Sequence, residues 1–244
     1  MTNNMFFIAN WKMFGDIRSV NSTKKVIKFS KNKKYKRAQI IYCPPYTLLE
    51  KFLKITKKSK IKIGAQNCHY SQRPGPFTGS ISANLIKSIG ANYVIIGHSE
   101  NRISGDNNHT INLKIKSALK EKLKVIFCIG ETLNEKRRNK TNLVLKNQIT
   151  RGLKNIKNNN IIFAYEPVWS IGTGIIPKSD DLIKSVNFIK SKFGSKSPKI
   201  LYGGSVNNQN ISQLKNISTI DDFLIGGASQ DPKKFIDIIK KTFN

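Results

Sequence analysis

Acidic side chains are scarce in this chain. Fourteen Asp and Glu stand against 43 Lys and Arg, a formal charge of +29 with a pI near 10.1. Such a balance raises nucleic acids and anionic membranes as partners. The lysines, however, spread over many helix-like segments, with no RNA-binding aromatic signature and no single arginine-rich arm. The expected outcome is a solvated basic surface with no specific nucleic acid partner and no membrane partner. Cysteine is also sparse: Cys43, Cys68 and Cys128 are odd in number and widely spaced, which suits reduced core thiols better than a disulfide framework. The three histidines (His69, His98, His109) stand apart, so no metal-ligand spacing is present and no metal is expected. No apolar run reaches the 18 residues of a membrane span, and the first residues lack the basic leader and cleavage site of a signal peptide. A cytoplasmic location is the expectation. No strand-like run is followed by GxGxxG, which argues against a dinucleotide-binding open sheet. No Pro/Ser-rich linker breaks the composition.

What is present alternates. Short apolar runs suited to strands lie at 6–11, 38–43, 62–66, 93–96, 125–129, 161–166, 199–202 and 223–225. Helical patterns fall between them near 17–30, 46–58, 80–88, 107–121, 132–155, 179–193, 207–215 and 232–242. Eight βα units in succession predict an α/β fold of one (β/α)8 barrel, eight parallel strands enclosed by helices, over a single domain, 1–244.

In such a barrel chemistry gathers at the carboxyl ends of the strands. The sixth run leads into AYEPVWSIGTG, which delivers Glu166 to the strand's end. Pro167 biases it toward extended backbone. Trp169, Gly172, Thr173 and Gly174 then suggest a lid able to bring N–H groups to an anion. A carboxylate under a closable loop can act as a general base shielded from water. The first run ends in NWK, placing Asn10 and Lys12 on one side of extended chain. Lys12 lies between Trp11 and Met13, where an unpaired ammonium is costly, and Glu100 is a candidate partner. The fourth run enters GHSEN (His98, Ser99, Glu100) and the fifth CIGET (Cys128, Glu131). The last two end in YGGS (Tyr202 to Ser205) and IGGAS (Gly226, Gly227), turns that open helices and suit phosphate.

Seven motifs in chain order resemble those of the triosephosphate isomerase family: NWKM at 10–13, AQN at 65–67, YVIIGHSE at 93–100, CIGET at 128–132, YEPVWSIGTG at 165–174, YGGSV at 202–206 and IGGAS at 225–229. The resemblance covers essentially the whole chain. It implies interconversion of dihydroxyacetone phosphate and D-glyceraldehyde 3-phosphate through an enediolate, in glycolysis and gluconeogenesis, without a cofactor. It implies Glu166 as the base, and His98 as the neutral electrophile that polarises the carbonyl and relays protons. Lys12 and Asn10 would touch the substrate, with the backbone N–H groups of Gly172, Ser205, Gly226 and Gly227 on its phosphate. Ser99 and Glu100 would support His98 and Lys12, and Tyr202 and Ser205 would latch the closed lid. The loop around Phe77, Thr78 and Gly79 would interdigitate in a homodimer.

The chain departs from the family pattern at Phe14 and Ser80, at Asn101 and Asp106 (usually arginine and glutamate), at Ser170 (usually alanine), at Lys190 (usually arginine) and at Asp222 (usually glycine). Asn101 and Asp106 together predict an ion pair lost near the dimer face. Two other readings stay open at this level: a different phosphosugar enzyme on the same barrel, and a nucleic-acid binder motivated by charge alone, whose binding would be salt-sensitive and sequence-blind.

Overall fold

A computed structural model describes residues 4–157 and 160–244; residues 1–3, 158 and 159 of the single-domain reading lie outside the described residues. Eight parallel strands close into a barrel in sequence order: β1 Met5–Asn10, β2 Ala38–Cys43, β3 Lys62–Ala65, β4 Tyr93–Ile96, β5 Lys124–Ile129, β6 Ile161–Tyr165, β7 Ile200–Tyr202 and β8 Asp222–Ile225. Closure is made by β8 against β1, with Phe7, Ile8 and Ala9 opposite Phe223, Leu224 and Ile225. The helices are α1 Ile17–Ser22, α2 Lys24–Ser30, α3 Tyr46–Thr56, α4 Ala83–Ser88, α5 Ser99–Ile103, α6 Asn108–Lys120, α7 Leu133–Arg137, α8 Thr141–Gly152, α9 Ser179–Ser191, α10 Ile211–Leu214 and α11 Pro232–Phe243.

Strands such as IIYC and VIFCI are apolar without alternation because both faces are covered. Ile8, Ile41, Ile95, Ile126, Leu201 and Leu224 fill the lumen, and a second, larger cluster packs the outer strand faces against the helices. Local chemistry starts the helices. Asp16 accepts from Ser19 N at 2.7 Å to open α1, Thr132 and Glu135 form a reciprocal cap on α7, and Asp231 with Pro232 opens α11.

Several boundaries differ from the sequence reading. The pattern near 17–30 is two helices meeting at Thr23, and that near 132–155 is two helices parted by 138–140, where Asn139 adopts φ 55°. The pattern near 207–215 shrinks to one turn, and α5 was not foreseen. β1 stops at Asn10, and Lys12 is not in extended chain: its φ is 54°, a left-handed turn. β6 stops at Tyr165, since Pro167 has no N–H to continue the ladder, although Glu166 N still donates to Ile129 O at 2.8 Å.

The basic residues also prove less dispersed than the sequence suggests. Segments 31–37, 57–62 and 120–124 each lead into a strand, so the topology gathers their lysines at one end of the barrel, opposite the loops that follow the strands. Asp221 and Asp222 open β8 and lie at this basal end. Asp221 Oδ2 accepts from Ile200 N at 2.9 Å and pairs with Lys190 at 3.0 Å, so lysine serves here in the usual arginine's position. Asp222 is fully buried. Its Oδ1 accepts from Phe6 N at 2.6 Å, and Lys199 Nζ stands 3.6 Å from Oδ2. Burial pushes its carboxyl up to about 7 against the opposing pull of Phe6 N and Lys199.

Candidate active site

At the opposite end the loops enclose a cavity of about 370 Å³ lined by Asn10, Lys12, His98, Glu166, Gly172, Ser205, Gly226 and Gly227. Residues assigned from five separate stretches of sequence thus meet in one place.

Glu166 is 2% exposed. Its backbone is pinned to β5, and the residues beside it have no room for side chains: a Cβ on Gly130 would lie 1.7 Å from Glu166 O, and one on Gly203 2.8 Å from Glu166 Cγ. Ser99 N lies 3.4 Å from Oε2. Oε1 lies 3.5 Å from His98 Nε2, and the described residues give it no hydrogen-bond partner. A buried carboxylate oxygen left unpaired is costly in a structural role; here it faces a cavity.

His98 caps α5, and its Nδ1 accepts from Glu100 N at 3.2 Å. A ring nitrogen that accepts carries no proton, so the imidazole proton sits on Nε2, toward Glu166 and the cavity. Lys12 Nζ pairs with Glu100 Oε1 at 2.6 Å, the partner expected from sequence. Its left-handed backbone is held from two sides: Lys12 N donates to Asn10 Oδ1 at 3.1 Å, and Gln66 Nε2 donates to Lys12 O at 2.8 Å and Cys43 O at 2.9 Å. The turn costs roughly 1–2 kcal/mol for a residue with a Cβ and aims the ammonium into the cavity.

The loop expected to serve as a lid, 167–177, begins in a 3-10 turn, Val168–Ser170. Its tryptophan is anchored beneath it: Trp169 Nε1 donates to Glu131 Oε1 at 3.1 Å, Tyr165 OH to Glu131 Oε2 at 3.1 Å, and Lys136 Nζ stacks 4.1 Å from the Trp169 ring. Burial raises the Glu131 carboxyl pKa, and these hydrogen bonds oppose the rise. At the other side Ser205 Oγ donates to Ser170 O at 2.6 Å and accepts from Gly174 N at 3.1 Å, which ties this loop to the turn after β7.

Ser99, Glu100 and Tyr202 do not line the cavity: Ser99 N lies near Glu166, Glu100 pairs with Lys12, and Tyr202 OH meets Ser170 Oγ at 3.2 Å. Sequence reasoning missed Gln66 as a support, although the AQN motif contains it. It also missed Arg102, whose guanidinium donates to Gly97 O at 2.7 Å and Cys128 O at 3.2 Å and ties the β4 loop to β5. Asn101, being uncharged, makes no ion pair with Asp106, but that carboxylate is not left alone. Lys114 Nζ, itself buried, sits 2.6 Å from Asp106 Oδ2 and 3.1 Å from Asn67 Oδ1, so that carboxylate keeps a cation. Among the described residues no group of three or more His, Cys, Asp or Glu side chains is placed to hold a metal ion. No helix among them is long and apolar enough to cross a membrane.

A carboxylate, an imidazole N–H and an ammonium converging beneath a lid define a barrel enzyme of acid–base chemistry on a small anion. The family within that class is set by kinship: a family profile described as triosephosphate isomerase matches residues 5–242, and the chain belongs to that family. Triosephosphate isomerase of Dictyoglomus thermophilum is 41% identical over 244 residues, covering 95% of this chain and 97% of the relative. That of Aquifex aeolicus is 37% identical, covering 95% and 96%. The crystal structure of the Bartonella henselae enzyme superposes with a TM-score of 0.86 at 33% identity, over 98% of each chain.

Proposed function

We propose that this chain, acting as one (β/α)8 unit, interconverts dihydroxyacetone phosphate and D-glyceraldehyde 3-phosphate with no cofactor. Glu166 takes a proton from the carbon beside the carbonyl, and His98 Nε2–H donates to the carbonyl oxygen. Lys12 offsets the negative charge that develops on the enediolate. Glu166 then returns the proton to the neighbouring carbon, while His98 shuttles the hydroxyl proton between the two oxygens. Asn10 orients the oxygens, and the N–H groups of Gly172, Ser205, Gly226 and Gly227 hold the phosphate. Ser99 steadies Glu166, and Glu100 steadies His98 and Lys12.

The observation that carries this reading is Glu166 Oε1: buried, unpaired and 3.5 Å from His98 Nε2 at the cavity wall. A coupled assay starting from dihydroxyacetone phosphate tests it, with other phosphosugars and a duplex RNA gel shift at physiological salt run alongside. Turnover confined to the triose phosphates is expected. Turnover of a different phosphosugar, or RNA binding without turnover, would replace the reading.

The enzyme further works as a homodimer through the loop around Thr78. Exposed apolar side chains near that loop and the Lys12 loop support this: Met13 is 95% exposed, and Phe14, Tyr70 and Phe77 are also exposed. Light scattering at micromolar concentration should give twice the chain mass. Its place is the cytoplasm, a reading supported by three buried, unbridged cysteines.

A further inference from the structure

Position 170 is one of the chain's departures, a serine in the lid where alanine is usual, and the structure gives its hydroxyl a partner. Ser170 is 0% exposed, and its Oγ lies 3.2 Å from Tyr202 OH. Tyr202 is buried as well, at the end of β7. The pair has space only because residue 204 is glycine. A Cβ there would fall 2.3 Å from both hydroxyl oxygens. The backbone of the same residue is gripped too: Ser170 O accepts from Ser205 Oγ at 2.6 Å and from Thr173 Oγ1 at 3.2 Å. The end of β7 and the turn after it therefore hold the lid at one residue by two routes, Ser205 at the Ser170 carbonyl and Tyr202 at the Ser170 side chain. An alanine would keep the first and lack the second.

From this geometry we propose that Ser170 is a positioning residue which holds the lid closed through Tyr202. The proposal deepens the isomerase reading above and rests on it for its catalytic consequence. A closed lid matters because an enediolate exposed to water can use its electron pair to break the C–O bond to phosphate. Phosphate leaves with the bonding pair, and the remaining enol ketonises to methylglyoxal. A tighter latch keeps that loss low. An ordinary hydrogen bond with both partners buried shifts such an equilibrium by roughly fivefold.

The test is a double-variant cycle on Ser170→Ala, Tyr202→Phe and the pair, with two readouts. The first is amide hydrogen exchange at residues 171–174, which needs no turnover. The second is the fraction of turnover lost as methylglyoxal and free phosphate. Ser170→Ala should raise both by about fivefold, Tyr202→Phe should do the same, and the double variant should exceed neither single. Should one variant fail to fold, the other reads the same contact from its opposite side. Unchanged exchange in Ser170→Ala, or a double variant whose effect is the product of the singles, overturns the proposal. Absence of isomerase activity in the parent chain would strike the functional reading instead, and exchange would still decide the role of Ser170.

Discussion

The two ends of this barrel use left-handed backbone and charge in opposite ways. At the basal end Lys122, with φ 58°, follows α6 and ends that helix through Lys122 N donating to Leu119 O, a routine place for such a residue. At the catalytic end Lys12, with φ 54°, ends no helix; it is held there by Asn10 and Gln66 so that its ammonium meets Glu100. The basal loops carry Lys31, Lys33, Lys34 and Lys36 in one segment with no acid, while Glu100, Asp106, Glu131 and Glu166 lie beyond the carboxyl ends of the strands, Glu100 in the first turn of α5. Cation excess marks the end that does no chemistry. Function here is marked by side chains and backbone held in costly arrangements, and the net charge of the chain says little about its substrate.

The largest effect is expected at Glu166. Glu166→Gln keeps the shape but cannot accept a carbon-bound proton, so kcat should fall by roughly 10²–10⁴ or more with KM little changed. A variant that kept a tenth of parental kcat would move the base elsewhere. Removing residues 171–174 should lower kcat by about 10² or more through lost positioning and water exclusion. It should also release methylglyoxal and free phosphate, measured by product analysis. A fast, clean deletion variant would mean that this loop is no lid.

The basal end should answer in stability instead. Asp222 has a folded-state pKa of about 7 against an ordinary 3.8. The folded chain therefore binds the extra proton between these values. Both states are protonated below pH 3.8, so no penalty exists there; the penalty grows as pH rises and is complete above pH 7. Asp222→Asn keeps an acceptor for Phe6 N and cannot ionise. It should stabilise the fold at pH 8 by up to about 4 kcal/mol, flatten the slope between pH 5 and 7, and leave kcat unchanged. Thermal melts at pH 5 and pH 8 read this, and equal shifts at both would remove Asp222 as the cause.

The smallest effect concerns charge. At 0.15 M salt screening acts over about 8 Å, while a six-residue strand is already roughly 20 Å long. Replacing Lys33, Lys34 and Lys36 with alanine should thus change kcat/KM less than about twofold. A larger fall, relieved at high salt, would mean that the basal lysines steer the substrate after all.

Much of this was legible in the sequence because parallel strands are continuous apolar runs: 38–43 and 93–96 coincide with β2 and β4. Glu166, His98 and Lys12 could be placed at one end once eight βα units were counted, since such topology sends every strand's carboxyl end the same way. Helix breaks at Thr23 and Asn139 were not legible, because neither glycine nor proline marks them. The bonds from Gln66 to Lys12 and Cys43, from Arg102 to Cys128, and between Ser170 and Tyr202 act across 20 or more residues of chain, and nothing local announces such a pairing. The sorting of lysines to the base was present in the sequence but visible only after loops entering strands were separated from loops leaving them.

In the proposed reaction one buried carboxylate at the catalytic end, Glu166, moves the proton. Running the isomerisation of dihydroxyacetone phosphate in D2O and locating deuterium in the product by NMR tests it most directly. A carboxyl proton exchanges with solvent while Glu166 holds it, so deuterium is expected at C2 of glyceraldehyde 3-phosphate in a measurable share of turnovers, formed at a rate that collapses in Glu166→Gln. Product free of deuterium at C2, or labelled at an undiminished rate by Glu166→Gln, would contradict it.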